Sequence, residues 1–258
     1  MQKLALIKLG GSIITFKDKP LSANTVAIDR VSEALASLDV PTIIVHGGGS
    51  FGHHWSVQYD MHTKPAAYDI HGISVVHESM IALNQIIVNS MIRHGLYPYA
   101  LPPTSFTTGH KPIRSKMRTL YSMAKTGLLP VTFGDIVHYE ASKYSILSGD
   151  SLMTLLAKVL RPSHVVFVTN VDGVLRDLRS RELVPVIASH KSRNSIEFAK
   201  GDAADVTGGM KRKIIEAFKI ARSGMDVMMV NGQFPERIIA ASKGRPTIGT
   251  RISGRVKS

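Results

Sequence analysis

The sequence predicts an α/β protein built on a mostly parallel sheet. Three observations carry that expectation: strand-length apolar runs alternate with stretches of helical periodicity, several of those runs end in glycine clusters, and no Ser, Pro or Gly-rich linker divides the 258 residues. A chain of this length buries about 70% of its unfolded surface on folding, so it needs no staple. It contains no cysteine, which removes disulfides, thiolate metal sites and cysteine nucleophiles together.

The first strand runs from Leu4 to Leu9 and passes directly into glycines. Val31, Leu35 and Leu38 then recur at helical spacing, with Ser22 or Asn24 as the cap. A second strand, Thr42 to Val45, ends in another glycine cluster. Val76, Met80, Leu83 and Ile87 mark one face of a long helix that closes near His94 and Gly95, and Tyr97 to Leu101 is a third strand. That order predicts right-handed crossovers with loops gathered at the carboxyl ends of the strands.

The middle is less regular. A basic stretch from Lys111 to Lys125 leads to a strand at Leu129 to Thr132, and Ile136 to Leu147 alternates as a hairpin does. A helix from about Asp150 to Leu160, a strand Val165 to Val168, a helix from Met210 to Ser223 and a strand Asp226 to Val230 resume the alternation. A short helix after Pro235 and a strand near Thr247 to Ile252 finish it, giving one compact unit with two lobes on a continuous sheet.

Lys and Arg number 32 against 19 Asp and Glu, a net charge of +13. Such a balance suits a nucleic-acid binder, a protein handling anionic small molecules, or a basic proteome. Aromatic residues make up 6% and show no RNA-binding or zinc pattern, so the expectation is no nucleic-acid partner. The apolar opening is broken at Lys8 and no run approaches the ~20 apolar residues of a membrane helix, so no membrane association and a cytoplasmic location are expected.

Four loops concentrate glycine: Gly10-Gly11-Ser12, Gly47-Gly48-Gly49-Ser50 with Gly52, Ser148-Gly149-Asp150 and Thr207-Gly208-Gly209. Glycines where strands hand over to helices let backbone amides approach an anion closely. None fits the Walker or Rossmann spacing, so the charge of a bound phosphate must be met by lysines placed elsewhere. Candidates are Lys8 within the first strand, Lys17 on the following loop and Lys213 at a helix start. A lysine in a short apolar strand is costly to bury unless an anion pairs with it.

Lys8-Leu9-Gly10-Gly11-Ser12, Gly134-Asp135, Thr169-Asn170-Val171-Asp172-Gly173-Val174 and Asp205-Val206-Thr207-Gly208-Gly209-Met210 resemble the amino acid kinase family in order and spacing. Within that family, His46-Gly47-Gly48-Gly49-Ser50-Phe51-Gly52-His53, with Lys17 nine residues after Lys8, is similar to the isopentenyl phosphate kinases of archaeal type. The resemblance covers essentially the whole chain. It implies a three-layer αβα sandwich, an acceptor lobe over about 1–160, an ATP lobe over about 161–258, and a homodimer. It also implies transfer of the γ-phosphoryl group of ATP to isopentenyl phosphate, with Mg²⁺ bridging the ATP phosphates.

By position, the resemblance gives Lys8 the donor β- and γ-phosphates, with the amides of Gly10, Gly11 and Ser12 completing the cradle. Lys17 meets the transferring group and Lys213 balances charge on the ATP side. Gly48, Gly49 and Gly149 contact the acceptor and transferred phosphates, while Asn170, Asp172, Gly173 and Gly209 lie along the nucleotide. Asp150 or Asp135 reaches the metal or orients the lysines. Many relatives read Gly-Asp-Asp where this chain has Gly149-Asp150-Ser151, which removes a second carboxylate.

His53 ends the second glycine motif. An acceptor that is already a phosphate needs no base, so a histidine there is better used as a donor holding the phosphate in line. His46 and His54 are weaker candidates, and His62, His71 and His77 fall to the surface or pocket wall. Ile73, Val76, Met80 and Ile87, with Ile146 opposite, offer a wall for an apolar slot for the acceptor's tail, although plain core is the commoner role of such residues and they are not counted as site residues. A fosfomycin kinase, which shares the Ser-Phe-Gly-His ending, is the alternative within the family, and a basic nucleic-acid-binding protein is the remote one outside it.

Overall fold

The computed structural model describes residues 2–176, 182–188 and 209–254. Its centre is an eight-stranded sheet. In chain order the strands are β1 (Gln2–Leu9), β2 (Thr42–His46), β3 (Pro98–Ala100), β6 (Leu129–Phe133), β9 (Pro162–Thr169), β10 (Val186–Ala188), β11 (Val227–Asn231) and β12 (Thr250–Ser253). Their spatial order is β10-β12-β11-β9-β1-β2-β6-β3, and β1, β2, β3, β6, β9 and β11 pair in parallel. β12 runs antiparallel to β11, so the sheet is mostly parallel as expected. Two small ribbons lie outside it, β4 (Thr107–Thr108) with β5 (Lys111–Pro112) and β7 (Asp135–His138) with β8 (Tyr144–Leu147). The second is the hairpin read from the alternation.

Side-chain alternation along the strands divides the core in two. Ala5, Ile7 and Leu9 of β1 and Ile44 of β2 pack under α2 (Thr25–Leu35), α4 (Ile70–Arg93) and α8 (Pro235–Ser242). Leu4 and Leu6 with Ile43 and Val45 face α5 (Arg114–Lys125), α6 (Gly149–Leu160) and α7 (Gly209–Ala221). The result is a three-layer αβα sandwich. α2 is capped by Asn24, whose side chain accepts from Ala27 N at 3.2 Å.

Two helices depart from the expectation. α5 lies where only a basic stretch was read, with Met117, Leu120 and Ala124 buried at helical spacing beneath its cations. α3 (Gly49–Gln58) begins inside the second glycine cluster, so Ser50 to His53 are helical, not loop. Its glycines and two adjacent histidines mask the pattern, and of its residues only Ser50 and Phe51 are buried. One further turn, α1 (Gly11–Ile14), follows β1 directly.

Candidate active site

Lys8 follows the β1 parity of Leu4 and Leu6, which turns its side chain toward α6. There it is 3% exposed, and its Nζ lies 2.7 Å from Asp150 Oδ1 at the start of that helix. Burial works to raise the Asp150 carboxyl, yet the charges of Lys8, Lys213 and Arg212 together hold it below the ordinary carboxylate range. A cationic cluster around one carboxylate is a site prepared for more negative charge.

Glycine lets three chain segments meet at that lysine. A Cβ on Gly47 would stand 3.6 Å from Lys8 Nζ, and one on Gly149 would stand 3.3 Å from Lys8 Cε. A Cβ on Gly11 would strike the backbone of Gly49, so the first and second loops touch main chain to main chain. Gly49 has φ +50°, and the loop is fixed by Thr15, whose Oγ1 donates to Gly11 O at 2.8 Å and accepts from Ser50 N at 3.0 Å. Gly10 N donates to Val168 O at 3.0 Å. Its amide is therefore spent within the sheet, a correction to the cradle expected from sequence. Lys213 closes the other side, its Cε 3.7 Å from where a Cβ on Gly10 would be.

Lys17 is exposed on the 16–22 loop, which is closed by a Thr15–Ala23 bridge and held to α3 by Ser22 N donating to Ser50 Oγ at 3.3 Å. His53 is exposed in the first turns of α3, with Gly48 at that helix's N-cap. The cleft is thus bounded by the starts of α1, α3, α6 and α7, all at the carboxyl edge of the sheet.

The sequence model of the amino acid kinase family matches residues 3–231. The chain belongs to the amino acid kinase family. The isopentenyl phosphate kinase of Thermoplasma acidophilum is 31% identical over 236 residues, covering 91% of this chain and 94% of that protein. That of Methanothermobacter thermautotrophicus is 28% identical over 267 residues, covering 98% and 100%. A crystal structure of the T. acidophilum isopentenyl phosphate kinase product complex superposes with TM-score 0.78 at 27% identity, covering 96% and 98%.

In this amino acid kinase the loop after β9 is braced from below. Asp172 Oδ1 accepts from Asn231 Nδ2 at 3.1 Å and Arg237 NH1 at 2.6 Å, and these bonds lower its carboxyl. The Asp172 side chain therefore shapes the loop carrying Asn170 and Gly173, whose φ of +152° brings it against Thr250. Gly209 opens α7, while the Thr207 and Gly208 part of the fourth glycine motif lies outside the described residues. Ser151, standing where relatives carry a second carboxylate, is bonded to the α6 cap: Ser148 Oγ accepts from Ser151 N at 3.2 Å.

The partners of several polar groups were not legible in the sequence. His46 is fully buried, stacked on Phe133, with Nδ1 donating to Gly47 O at 3.0 Å and Nε2 accepting from Asn84 at 3.1 Å. Burial pushes its pKa down to about 4, so it is a neutral brace for the glycine loop. His77 Nδ1 and Asp135 Oδ2 are 2.7 Å apart. Burial raises the Asp135 carboxyl, and its hydrogen bond raises the His77 imidazole. Nothing in the spacing of residues 77 and 135 foretells this pair, because helix α4 and ribbon β7 meet only in the tertiary fold.

Most of the residues expected around the acceptor's tail come together as packed apolar side chains. Val76, Met61 and Ile136 form a small buried cluster with Ile73 and Ile146 packed against it. Ile87 belongs to the main core under the sheet and not to this cluster.

Proposed function

We propose that this amino acid kinase transfers the γ-phosphoryl group of ATP to the phosphate of isopentenyl phosphate, giving isopentenyl diphosphate and ADP. The observation that carries the reading is a juxtaposition: an anion cradle of Lys8, Gly11, Gly48 and Gly149 stands beside an apolar cluster of Val76, Ile136 and Ile146. A small phosphate ester with a hydrocarbon tail fits both halves. The relatives that match nearly the whole chain are named isopentenyl phosphate kinases.

The acceptor phosphate oxygen forms a bond to Pγ as the bond from Pγ to the β,γ-bridging oxygen breaks, and the electron pair leaves with ADP. Lys8 and Lys213 meet the donor phosphates, Lys17 the transferring group, and His53 the acceptor phosphate. Gly48, Gly49 and Gly149 supply backbone contacts on the acceptor side, and Gly11, Ser12, Asn170, Gly173 and Gly209 on the nucleotide side. Because the nucleophile is already anionic, the work is positioning and charge neutralisation, with the reacting atoms brought within about 3 to 3.5 Å.

Among the described residues no cluster of three His, Asp or Glu side chains could cage a metal. Mg²⁺ brought in with the ATP phosphates would supply neutralisation of the donor charge, and Lys8, Lys213 and Asp150 are the charged groups that would face it. Asp150, paired with Lys8 at 2.7 Å, is the carboxylate within the cradle; Asp135 is committed to His77 and to Ile136 N.

The acceptor lobe is assigned to about 1–160 and the ATP lobe to about 161–258, in the cytoplasm where ATP is available, with no nucleic-acid partner. A homodimer is supported by the edge strand β3, flanked by exposed Tyr97 and carrying exposed Tyr99, next to the exposed Ile81 and Ile92 of α4. The deciding assay mixes purified protein and Mg·ATP with isopentenyl phosphate, fosfomycin or uridylate in parallel. ADP release with isopentenyl phosphate, and a product heavier by one phosphoryl group, is expected; turnover with only one of the others sinks the reading.

A further inference from the structure

Chain neighbours of His77 and of its partner Asp135 touch the two glycine segments assigned to the acceptor. One turn farther along α4, Met80 Sδ is the atom that a Cβ on Gly48 or Gly52 would meet at 2.9 or 3.1 Å, so this stretch of helix underlies the second glycine loop. Its partner Asp135 directly follows Gly134, where an added Cβ would stand 2.6 Å from Gly149 N. The pair therefore links the floor of one acceptor loop to the strand that backs the other. It also marks a boundary, since the chain neighbours Val76 and Ile136 belong to the apolar cluster.

The two side chains differ in what they have left to offer. Asp135 has no side-chain exposure, and both its oxygens are engaged: Oδ2 accepts from His77 Nδ1 at 2.7 Å and Oδ1 from Ile136 N at 2.8 Å. The His77 side chain is 42% exposed, and its Nε2 makes no hydrogen bond within the described residues. A buried carboxylate on one ring nitrogen fixes the orientation of an imidazole and favours its protonated form, in which the other nitrogen is also a donor to an anion. A staple between α4 and β7 needs no second nitrogen in solvent.

We propose that His77 is a second donor to the acceptor's phosphate group, alongside His53, and that Asp135 is the positioning residue that aims it. This rests on the acceptor reading above, and places the phosphate head at the cradle end of the apolar slot with a histidine on either side. A charge-assisted donor of this kind contributes roughly tenfold or more to phosphate affinity.

The test uses two substitutions that separate the tie from the donor. In His77→Asn the amide nitrogen falls near the position of Nδ1, retaining the bond to Asp135 while removing the outward donor. In His77→Gln the amide reaches toward the position of Nε2. Isothermal titration with isopentenyl phosphate in the absence of nucleotide, steady-state kinetics and thermal unfolding are measured for wild type, both variants and Asp135→Asn.

The expected result for His77→Asn is acceptor affinity down about tenfold or more, with the KM for ATP and the unfolding temperature nearly unchanged. His77→Gln recovers part of the affinity, and Asp135→Asn weakens the acceptor selectively. Wild-type acceptor affinity in His77→Asn overturns the proposal, as does parallel loss of ATP and acceptor binding. If wild type binds no isopentenyl phosphate, the acceptor reading fails by itself. Inorganic phosphate titrated into the same proteins then decides the role of His77 separately: weakened binding in His77→Asn supports it, and equal binding refutes it.

Discussion

Lys8 Nζ and Asp150 Oδ1 meet at 2.7 Å with both side chains at least nine-tenths buried, one from the central strand and one from the first turn of α6. Each is the other's close counter-charge in the resting enzyme, and phosphate is the natural further partner for the lysine. Substrate binding therefore enters an ion pair that already exists. The cost of burying Lys8 is met by Asp150 before any ligand arrives.

Removing one partner of that pair should destabilise the fold by about 3 to 5 kcal/mol, because the other is left as an unpaired buried charge. Lys8→Met and Asp150→Asn are each expected to show this in urea unfolding and to lose turnover. The double variant Lys8→Met/Asp150→Asn should be less destabilised than the sum of the single losses. Strict additivity in that double-mutant cycle would mean that the two groups do not interact.

Gly11→Ala tests the contact between loops. Its Cβ has nowhere to go against the backbone of Gly49, so the phosphate loops must separate. Turnover should fall by at least about a hundredfold, the scale associated with an ångström of misplacement. Near-native kcat in this variant would refute the close approach.

His53→Ala removes an exposed side chain, so its unfolding free energy should stay within about 0.5 kcal/mol of wild type. The KM for the acceptor should rise about tenfold or more while the KM for ATP holds. Equal weakening of both substrates would mark His53 as structural.

The buried His46 predicts a pH dependence of stability. Its ordinary value of 6.5 falls to about 4 in the folded protein, so the unfolded chain takes up the proton first as pH drops. The stabilisation it gives is complete above the unfolded value and is lost as pH falls from 6.5 toward about 4, by roughly 3 kcal/mol. In His46→Gln the unfolding free energy should be less steep over that window. A slope unchanged from wild type would show that His46 does not titrate on unfolding.

Much of the site was legible because its chemistry is local. Lys8 stands two residues before glycines, and His53 closes a glycine run, so spacing alone marks them. The α5 helix is also written in the sequence, through Met117, Leu120 and Ala124, but its four cations, Arg114, Lys116, Arg118 and Lys125, mask that period. Helix α3 was harder, since Gly49 and Gly52 disfavour the helix that the surrounding packing enforces.

The sequence by itself determined the alternation of strands and helices, the glycine-lined edge and the candidate lysines near it, because each depends on neighbours a few residues apart. Only the tertiary structure decided which side chains became partners. Lys8 with Asp150, His77 with Asp135 and Asp172 with Arg237 are separated by 142, 58 and 65 residues. No periodicity links positions so distant. The fold brings them together, and where both partners are buried, as at Lys8 and Asp150, each charge needs the other.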